Sequence, residues 1–331
     1  MTTTVLISDR YVKEQFRADV VTGLTATQRW LPSKWLYDKH GSELFDLITR
    51  LPEYYPTRIE SELLVAHASE LASIAQPHTV VELGPGSGAK AELFLLPLIS
   101  AGLRSYVPID FSDGWLSDAI RSMLGKSHVA VSTIVADYET QLGQLPAFAD
   151  PTLIAFLGAS LGNLMPKKRI ALLREMAHLL NEGGCVLVGV DLRKSPDVLI
   201  PAYDDSAGVT ARFNKNVLSV INNELQADFN LANFDHAATW EDDPSWIEMR
   251  LYANKSHTVR IDRAELEVSF RAGEYIRTEI SAKFTRQQMA DELAQAGLGL
   301  HSWWTDDRGY YALCLAIKDG RGSLHRPPDS Q

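Results

Sequence analysis

The chain has 331 residues, 45% hydrophobic and 22% charged, a balance ordinary for a globular protein with a sizeable core and a length comfortable for two domains. Its 42 acidic residues outnumber 32 basic ones, and the net charge of −10 argues against nucleic acid or an anionic membrane as the main partner. No apolar run approaches the roughly 18 residues that cross a bilayer, and residues 1–10 lack a basic segment followed by an apolar one, so neither a membrane span nor a signal peptide is expected. Cys185 and Cys314 each sit in an apolar, strand-like run and are expected to be reduced core residues of a cytoplasmic protein. The nine histidines are scattered, with none beside another His or Cys at ligand spacing, so no metal site is expected.

In chain order, helical patterning begins over Ser61–Ala75. Residues 79–88 (Thr-Val-Val-Glu-Leu-Gly-Pro-Gly-Ser-Gly) then form the most informative stretch. A β-branched run ends in a glycine turn, and a helix is expected over Ala89–Gly102. Gly84, Gly86 and Gly88 permit positive φ and close approach of backbone N–H groups to a ligand. Glu82, inside the strand, needs a cationic or hydrogen-bonding partner if buried. Ser105–Asp110 is expected to be the next strand, ending in a carboxylate 26 positions after Gly84. An acid there can accept both hydrogen bonds of a ribose diol. A helix is expected over Gly114–Leu124, strands over Val129–Asp137 and Leu153–Leu157, a helix over Pro166–Leu180, and a fifth buried strand over Cys185–Val190. Successive strands thus deliver polar groups to one sheet edge, where a nucleoside-bearing cofactor would sit.

The α/β alternation then stops. Residues 199–284 hold a helix at Thr210–Leu225 and strands at Trp246–Ala253, Thr258–Ile261 and Leu266–Phe270, whose polar–apolar alternation suits antiparallel pairing with one face exposed. Asp204-Asp205 is expected to cap or turn. A helix at Arg286–Ala296 precedes a hairpin of Leu298–Thr305 and Tyr310–Lys318. The expected organisation is a Rossmann-like α/β domain from residues 59–198 and 285–318, closed by that hairpin. Residues 1–58 and 199–284 are expected to form a second, α+β substrate domain, and 319–331 a disordered tail.

Two other motifs compete. Gly158-Ala159-Ser160-Leu161-Gly162 matches the G-x-S-x-G of serine hydrolases, but residues 162–165 separate Ser160 from the helix expected at Pro166. Gly84, Gly86 and Ala89 match a dinucleotide pattern, which keeps a nicotinamide oxidoreductase open. The carboxylate at Asp110 lies later than that pattern requires, and a closing antiparallel hairpin fits that fold poorly.

Glu82–Gly88 with Asp110 and Asp137 resembles the S-adenosylmethionine site of class I methyltransferases. More specifically, the chain resembles the histidine Nα-methyltransferases of ergothioneine biosynthesis. The matching runs are Lys34–Asp38, Leu51–Arg58, Phe156–Gly158 through Gly162–Leu164, Ala202–Asp205 through Ala207–Thr210, Phe213-Asn214 through Asn216–Leu218, Ile247–Met249, and Thr278–Ser281 with Lys283-Phe284. The resemblance spans roughly residues 15–318.

What it implies is S-adenosylmethionine-dependent Nα-trimethylation of L-histidine to hercynine, by a protein expected to work as a monomer on a small-molecule substrate. The alternative within the class is N-methylation of another aromatic amino acid such as tryptophan. Cofactor contacts correspond to Tyr37, Gly84, Gly86, Lys90, Asp110, Asp137 and Tyr138, the last replacing a phenylalanine of relatives. The amino-acid backbone corresponds to Tyr54, Gly158, Asn163 and Tyr203, the imidazole end to Met249, Glu279 and Ser281, and the pocket lining to Phe45, Thr210 and Phe213. Tyr37, Tyr54 and Asn163 are the expected catalytic groups: uncharged donors can orient a neutral amine towards a sulfonium without repelling it, and a tyrosine hydroxyl or water can relay the released proton. Glu279 accepting from the imidazole N–H would select histidine. Without the resemblance, Glu279 would be taken as an exposed strand residue paired with Lys283 or Arg277.

Overall fold

The structure, a computed structural model, describes residues 2–86, 88–111, 123–145 and 148–318. Residues 112–122, which hold most of the expected helix Gly114–Leu124, and the tail 319–331 lie outside the described residues.

The larger sheet has eight strands: β1 (Thr2–Val5), β2 (Thr79–Leu83), β3 (Ser105–Asp110), β4 (Ala130–Val135), β5 (Thr152–Phe156), β6 (Cys185–Asp191), and further along the chain β12 (Gly299–Thr305) and β13 (Tyr311–Ile317). Their spatial order is β1-β4-β3-β2-β5-β6-β13-β12. The first six pair in parallel and the closing hairpin runs antiparallel, pairing β13 with β6 and β12 with β13. This is the α/β sheet closed by a C-terminal hairpin that the sequence predicts. Strands β2, β5 and β6 are buried on both faces, as their unbroken apolar runs require when helices cover each side. Cys185 and Cys314 lie in this core as unpaired thiols, both pushed up by burial, Cys185 to about 11.

From β2 the chain steps outward to β3 and β4 on one side and returns to β5 on the other. The strand order therefore reverses between β2 and β5, the place where open α/β sheets leave a crevice at their carboxyl ends.

The remaining strands are β7 (Phe234–Glu241), β8 (Trp246–Ala253), β9 (His257–Ile261), β10 (Leu266–Phe270) and β11 (Tyr275–Ala282). They form an antiparallel sheet β11-β8-β7 and a two-stranded β10-β9 ribbon. β7 and β11 have no counterpart among the expected strands. In β11 the reason is visible: Thr278, Glu279 and Ser281 are buried polar residues, so the period-2 contrast between a wet and a dry face is lost.

The N-terminal segment splits. β1 extends the large sheet by pairing with β4, whereas Leu31 donates its N–H to the Arg277 carbonyl (2.8 Å), tying the chain after helix Asp9–Thr25 to β11. Helix Lys39–Ile48 is capped by Asp38, whose Oδ1 accepts the Gly41 N–H (2.7 Å) and also Asn216 Nδ2 (2.6 Å) of helix Val209–Leu225. One carboxylate thereby locks together the two helices that carry Phe45 and Phe213. Asp205 caps the second of these, accepting the N–H groups of Val209 (2.9 Å) and Thr210 (2.7 Å), which is the capping role expected of the acidic pair.

Candidate active site

A cavity of about 1120 Å³ opens where the carboxyl edge of the large sheet faces β8, β11 and helices Lys39–Ile48 and Val209–Leu225. Every residue named above as a candidate lines it: Tyr37, Phe45, Tyr54, Gly84, Gly86, Lys90, Asp110, Asp137, Tyr138, Gly158, Asn163, Tyr203, Thr210, Phe213, Met249, Glu279 and Ser281. A single drug-sized ligand fills about 300–1000 Å³, so this volume suits a nucleoside cofactor together with an amino acid.

The sheet-edge half is built by strand ends. After β2, Gly84 and Gly86 take φ of +60° and +58°, and a Cβ on Gly86 would meet nothing within 4 Å, so the turn lies open to a ligand. Tyr138 packs over Gly84 and edge-on to Phe156 (5.5 Å, 68°). Asp110 ends β3, and Asp137 follows β4. Asp137 Oδ1 caps its own turn at Glu139 N–H (3.0 Å), while Oδ2 accepts Lys34 Nζ (3.2 Å). Glu82 is fully enclosed beneath the turn with its pKa pushed up to about 7 by burial, and it takes a hydrogen bond from the Tyr106 hydroxyl, the partner its position in a strand demands.

The other half is a chain of edge-on rings. Tyr37 meets Phe45 (5.4 Å) and Phe213 (5.3 Å), Phe45 meets Tyr54 (6.0 Å), and Tyr54 meets Tyr203 (6.3 Å). Burial holds the Tyr54 and Tyr203 hydroxyls well above the usual phenol range, so both are uncharged at neutral pH. On β11, Glu279 and Ser281 share one face, with Met249 paired to Glu279 across β8. Glu279 is 9% exposed, and burial pushes its carboxyl up to about 7 against the pull of nearby Lys283. It is therefore no surface strand residue: Arg277 pairs with Glu248 (3.4 Å) and Lys283 with Asp191 (2.7 Å).

Four polar residues of this region were not singled out from sequence. Lys34 is the cation beside Asp137. Glu60, fully buried, accepts the N–H of Gly158 (2.7 Å), the Tyr311 hydroxyl (2.6 Å) and the ammonium of Lys90, so Lys90 is anchored before it meets any ligand. A signal for Glu60 existed in Gly189, a glycine inside buried β6: a Cβ there would lie 2.0 Å from the Glu60 carboxylate. Lys283 and Asp191 form an enclosed pair behind Tyr203 and Ser281.

The hydrolase pattern has another explanation. Ser160 Oγ donates to the Leu157 carbonyl (3.0 Å) at the start of a short 3-10 turn, and no histidine is among the residues lining the cavity. Gly162 is small because β11 passes over it, with the Ala282 carbonyl 3.0 Å from where a Cβ would stand. Among the described residues no group of three His, Cys, Asp or Glu side chains could hold a metal ion, and no helix is long and apolar enough to cross a membrane.

A family model described as histidine-specific methyltransferase, SAM-dependent, matches residues 16–318. The chain is 44% identical over 308 residues to the histidine N-alpha-methyltransferase of Mycolicibacterium smegmatis, covering 92% of this chain and 95% of that protein. It is 45% identical over 304 residues to the Mycobacterium tuberculosis protein of the same name, covering 91% and 94%. Ergothioneine biosynthesis protein 1 of Schizosaccharomyces pombe is 28% identical over 310 residues, which cover 90% of this chain and 40% of the fungal protein.

Proposed function

The chain belongs to the family of histidine-specific, S-adenosylmethionine-dependent methyltransferases, and from that premise we propose that it methylates the α-amino nitrogen of L-histidine three times, giving hercynine for ergothioneine biosynthesis. The observation that carries this reading is the convergence of all the candidate residues on one cavity, with an enclosed carboxylate, Glu279, at its amino-acid end.

The sheet edge fits the cofactor: an open positive-φ turn for close backbone approach, an acidic strand end at Asp110 for ribose hydroxyls, Tyr138 over the turn and Lys90 held at its side. Gly84, Gly86, Asp137 and Tyr37 complete that set. S-Adenosylmethionine, when bound, supplies an electrophilic methyl group on a sulfonium. The chain's own residues do the rest. Tyr54, Asn163, Gly158 and Tyr203 hold the amino and carboxylate groups. Phe45, Thr210 and Phe213 line the pocket, with Tyr37 beside Phe45 and Phe213. Rings suit a nitrogen that becomes a quaternary ammonium, because they attract a cation without needing an N–H from it. Since burial raises the tyrosine hydroxyls, they orient the amine and pass on a proton only by taking up another; none is a resident phenolate base. Glu279, Ser281 and Met249 take the imidazole. A carboxylate in so dry a place penalises any side chain that brings no N–H to it.

The reading extends to a monomer working in the cytoplasm, where thiols such as Cys185 and Cys314 stay unpaired. The test is mass spectrometry of the protein with S-adenosylmethionine and all twenty amino acids in competition. Trimethylated histidine is the expected product, and preferential methylation of any other amino acid overturns the assignment.

A further inference from the structure

Behind the amino-acid end of the cavity lies an enclosed charge that the proposed reaction does not itself use. Lys283 is 0% exposed, and its three N–H donors have three acceptors: Asp191 Oδ2 (2.7 Å), the Tyr203 hydroxyl (2.8 Å) and Ser281 Oγ (2.8 Å). Asp191, equally enclosed, also accepts the Tyr55 hydroxyl (2.8 Å) and Lys194 (2.5 Å), so the pair is bonded on every side.

The Tyr203 and Ser281 oxygens are themselves 2.8 Å apart. Each already accepts one N–H from Lys283. One of their two hydroxyl hydrogens must lie in the contact between them, and the other must leave the triangle. With Tyr203 turned to the substrate's amino group as an acceptor, its own hydrogen lies in the contact with Ser281, so the outward O–H is that of Ser281, and both residues line the cavity. Glu279, two residues before Ser281 on the same face of β11, offers an acceptor. A donor beside an acceptor is the complement of a neutral imidazole, which carries one N–H and one nitrogen lone pair.

We propose that Lys283 is a positioning residue for the substrate ring: by donating to both Tyr203 and Ser281 it makes the hydroxyl pair a hydrogen-bond donor, so that the site selects a ring bearing a lone-pair nitrogen as well as an N–H. Glu279 by itself tests only for the N–H. Lys283 adds the second half of the discrimination without touching the ligand. The inference rests on the histidine reading above.

The test compares L-histidine with the two pyrrolylalanines (pyrrol-2-yl and pyrrol-3-yl), which keep a ring N–H but carry C–H in place of the lone-pair nitrogen. Binding is measured by calorimetry in wild type and Lys283→Met. Wild type should bind histidine at least ~10-fold better than the better pyrrolylalanine, because the analogue leaves a buried hydroxyl unpaired. In Lys283→Met the hydroxyl pair is free to turn, and that ratio should fall to within about threefold of unity, with S-adenosylmethionine affinity kept within about twofold. Asp191 retains Tyr55 and Lys194 in this variant. If cofactor affinity is nevertheless lost, Lys283→Met/Asp191→Asn, which removes the pair as a unit, takes its place. Equal weakening of histidine and analogue at the wild-type ratio would show a merely structural lysine and overturn the inference, as would a wild type without preference. A protein that binds no histidine fails the proposed function instead, so the two failures are distinct.

Discussion

Glu279→Ala is the perturbation that reaches furthest into the specificity argument. A carboxylate accepting from an imidazole N–H makes a charge-assisted hydrogen bond of about 1.5–3 kcal/mol, so kcat/KM for histidine should fall roughly 10- to 150-fold. Tryptophan should gain relative to histidine, because the pocket widens and no enclosed carboxylate is left without a donor. S-Adenosylmethionine affinity should hardly change, since Glu279 stands on β11 of the smaller sheet and not on the strand ends of the large sheet that fit the cofactor. The pH dependence has a definite sign. Burial raises the Glu279 carboxyl to about 7 in the folded protein, above its unfolded value near 4.5. A raised group contributes stability that is fully present below about pH 4.5 and lost as pH rises through 7, at most about 3 kcal/mol by pH 8. The same ionisation is needed to bind the ring N–H, so histidine kcat/KM in wild type should rise through about pH 7 just as this stability is lost. The isosteric Glu279→Gln should flatten the stability trend and leave in kcat/KM only the rise that comes from deprotonation of the substrate's own ammonium. Mass spectrometry with histidine and tryptophan in one reaction reads the ratio directly. A histidine-to-tryptophan ratio that stays at the wild-type value would falsify the assignment of Glu279 to the substrate ring.

Three further outcomes are expected. Asp110→Ala should weaken S-adenosylmethionine binding by about 1.5–3 kcal/mol, measured by calorimetry, and an unchanged affinity would remove the ribose role of this strand end. Ser160→Ala should keep substantial methylation activity, because Ser160 Oγ is engaged with the Leu157 carbonyl, and stoichiometric labelling of Ser160 by a serine-directed probe would contradict this. Glu82→Gln should be more stable than wild type at pH 8 and lose that advantage by about pH 5, since Glu82 too is raised to about 7 by burial. Urea denaturation at both pH values checks the sign, and an advantage that grows on acidification refutes it.

Much of this protein is legible in one dimension. β2, β3, β5 and β6 announce themselves as short apolar runs because both their faces are covered, and Gly84, Gly86 and Gly158 because the chain there takes φ between +58° and +80°. Helix Pro56–Ala75 begins five residues before its periodic pattern at Ser61. Proline at the first helical position sacrifices no hydrogen bond, so it opens this helix rather than preceding it. The acids that end β3 and follow β4 are visible because each interrupts an apolar run where a strand must stop.

The sequence by itself thus determined seven of the sheet's eight strands, all but β1, together with its carboxyl edge and, through motifs spread from Lys34 to Phe284, the membership of the cavity. Tertiary structure alone decided what backs that cavity. Glu60 reaches Gly158 across 98 positions, and Lys283 reaches Tyr203 across 80. Pairings so distant leave no periodic trace, because a buried charge is admissible wherever the fold happens to bring its partner. β11 is hidden for the same reason. Its inward face is polar because it borders a cavity rather than a core, so the contrast that reveals an ordinary strand is absent along the cavity wall.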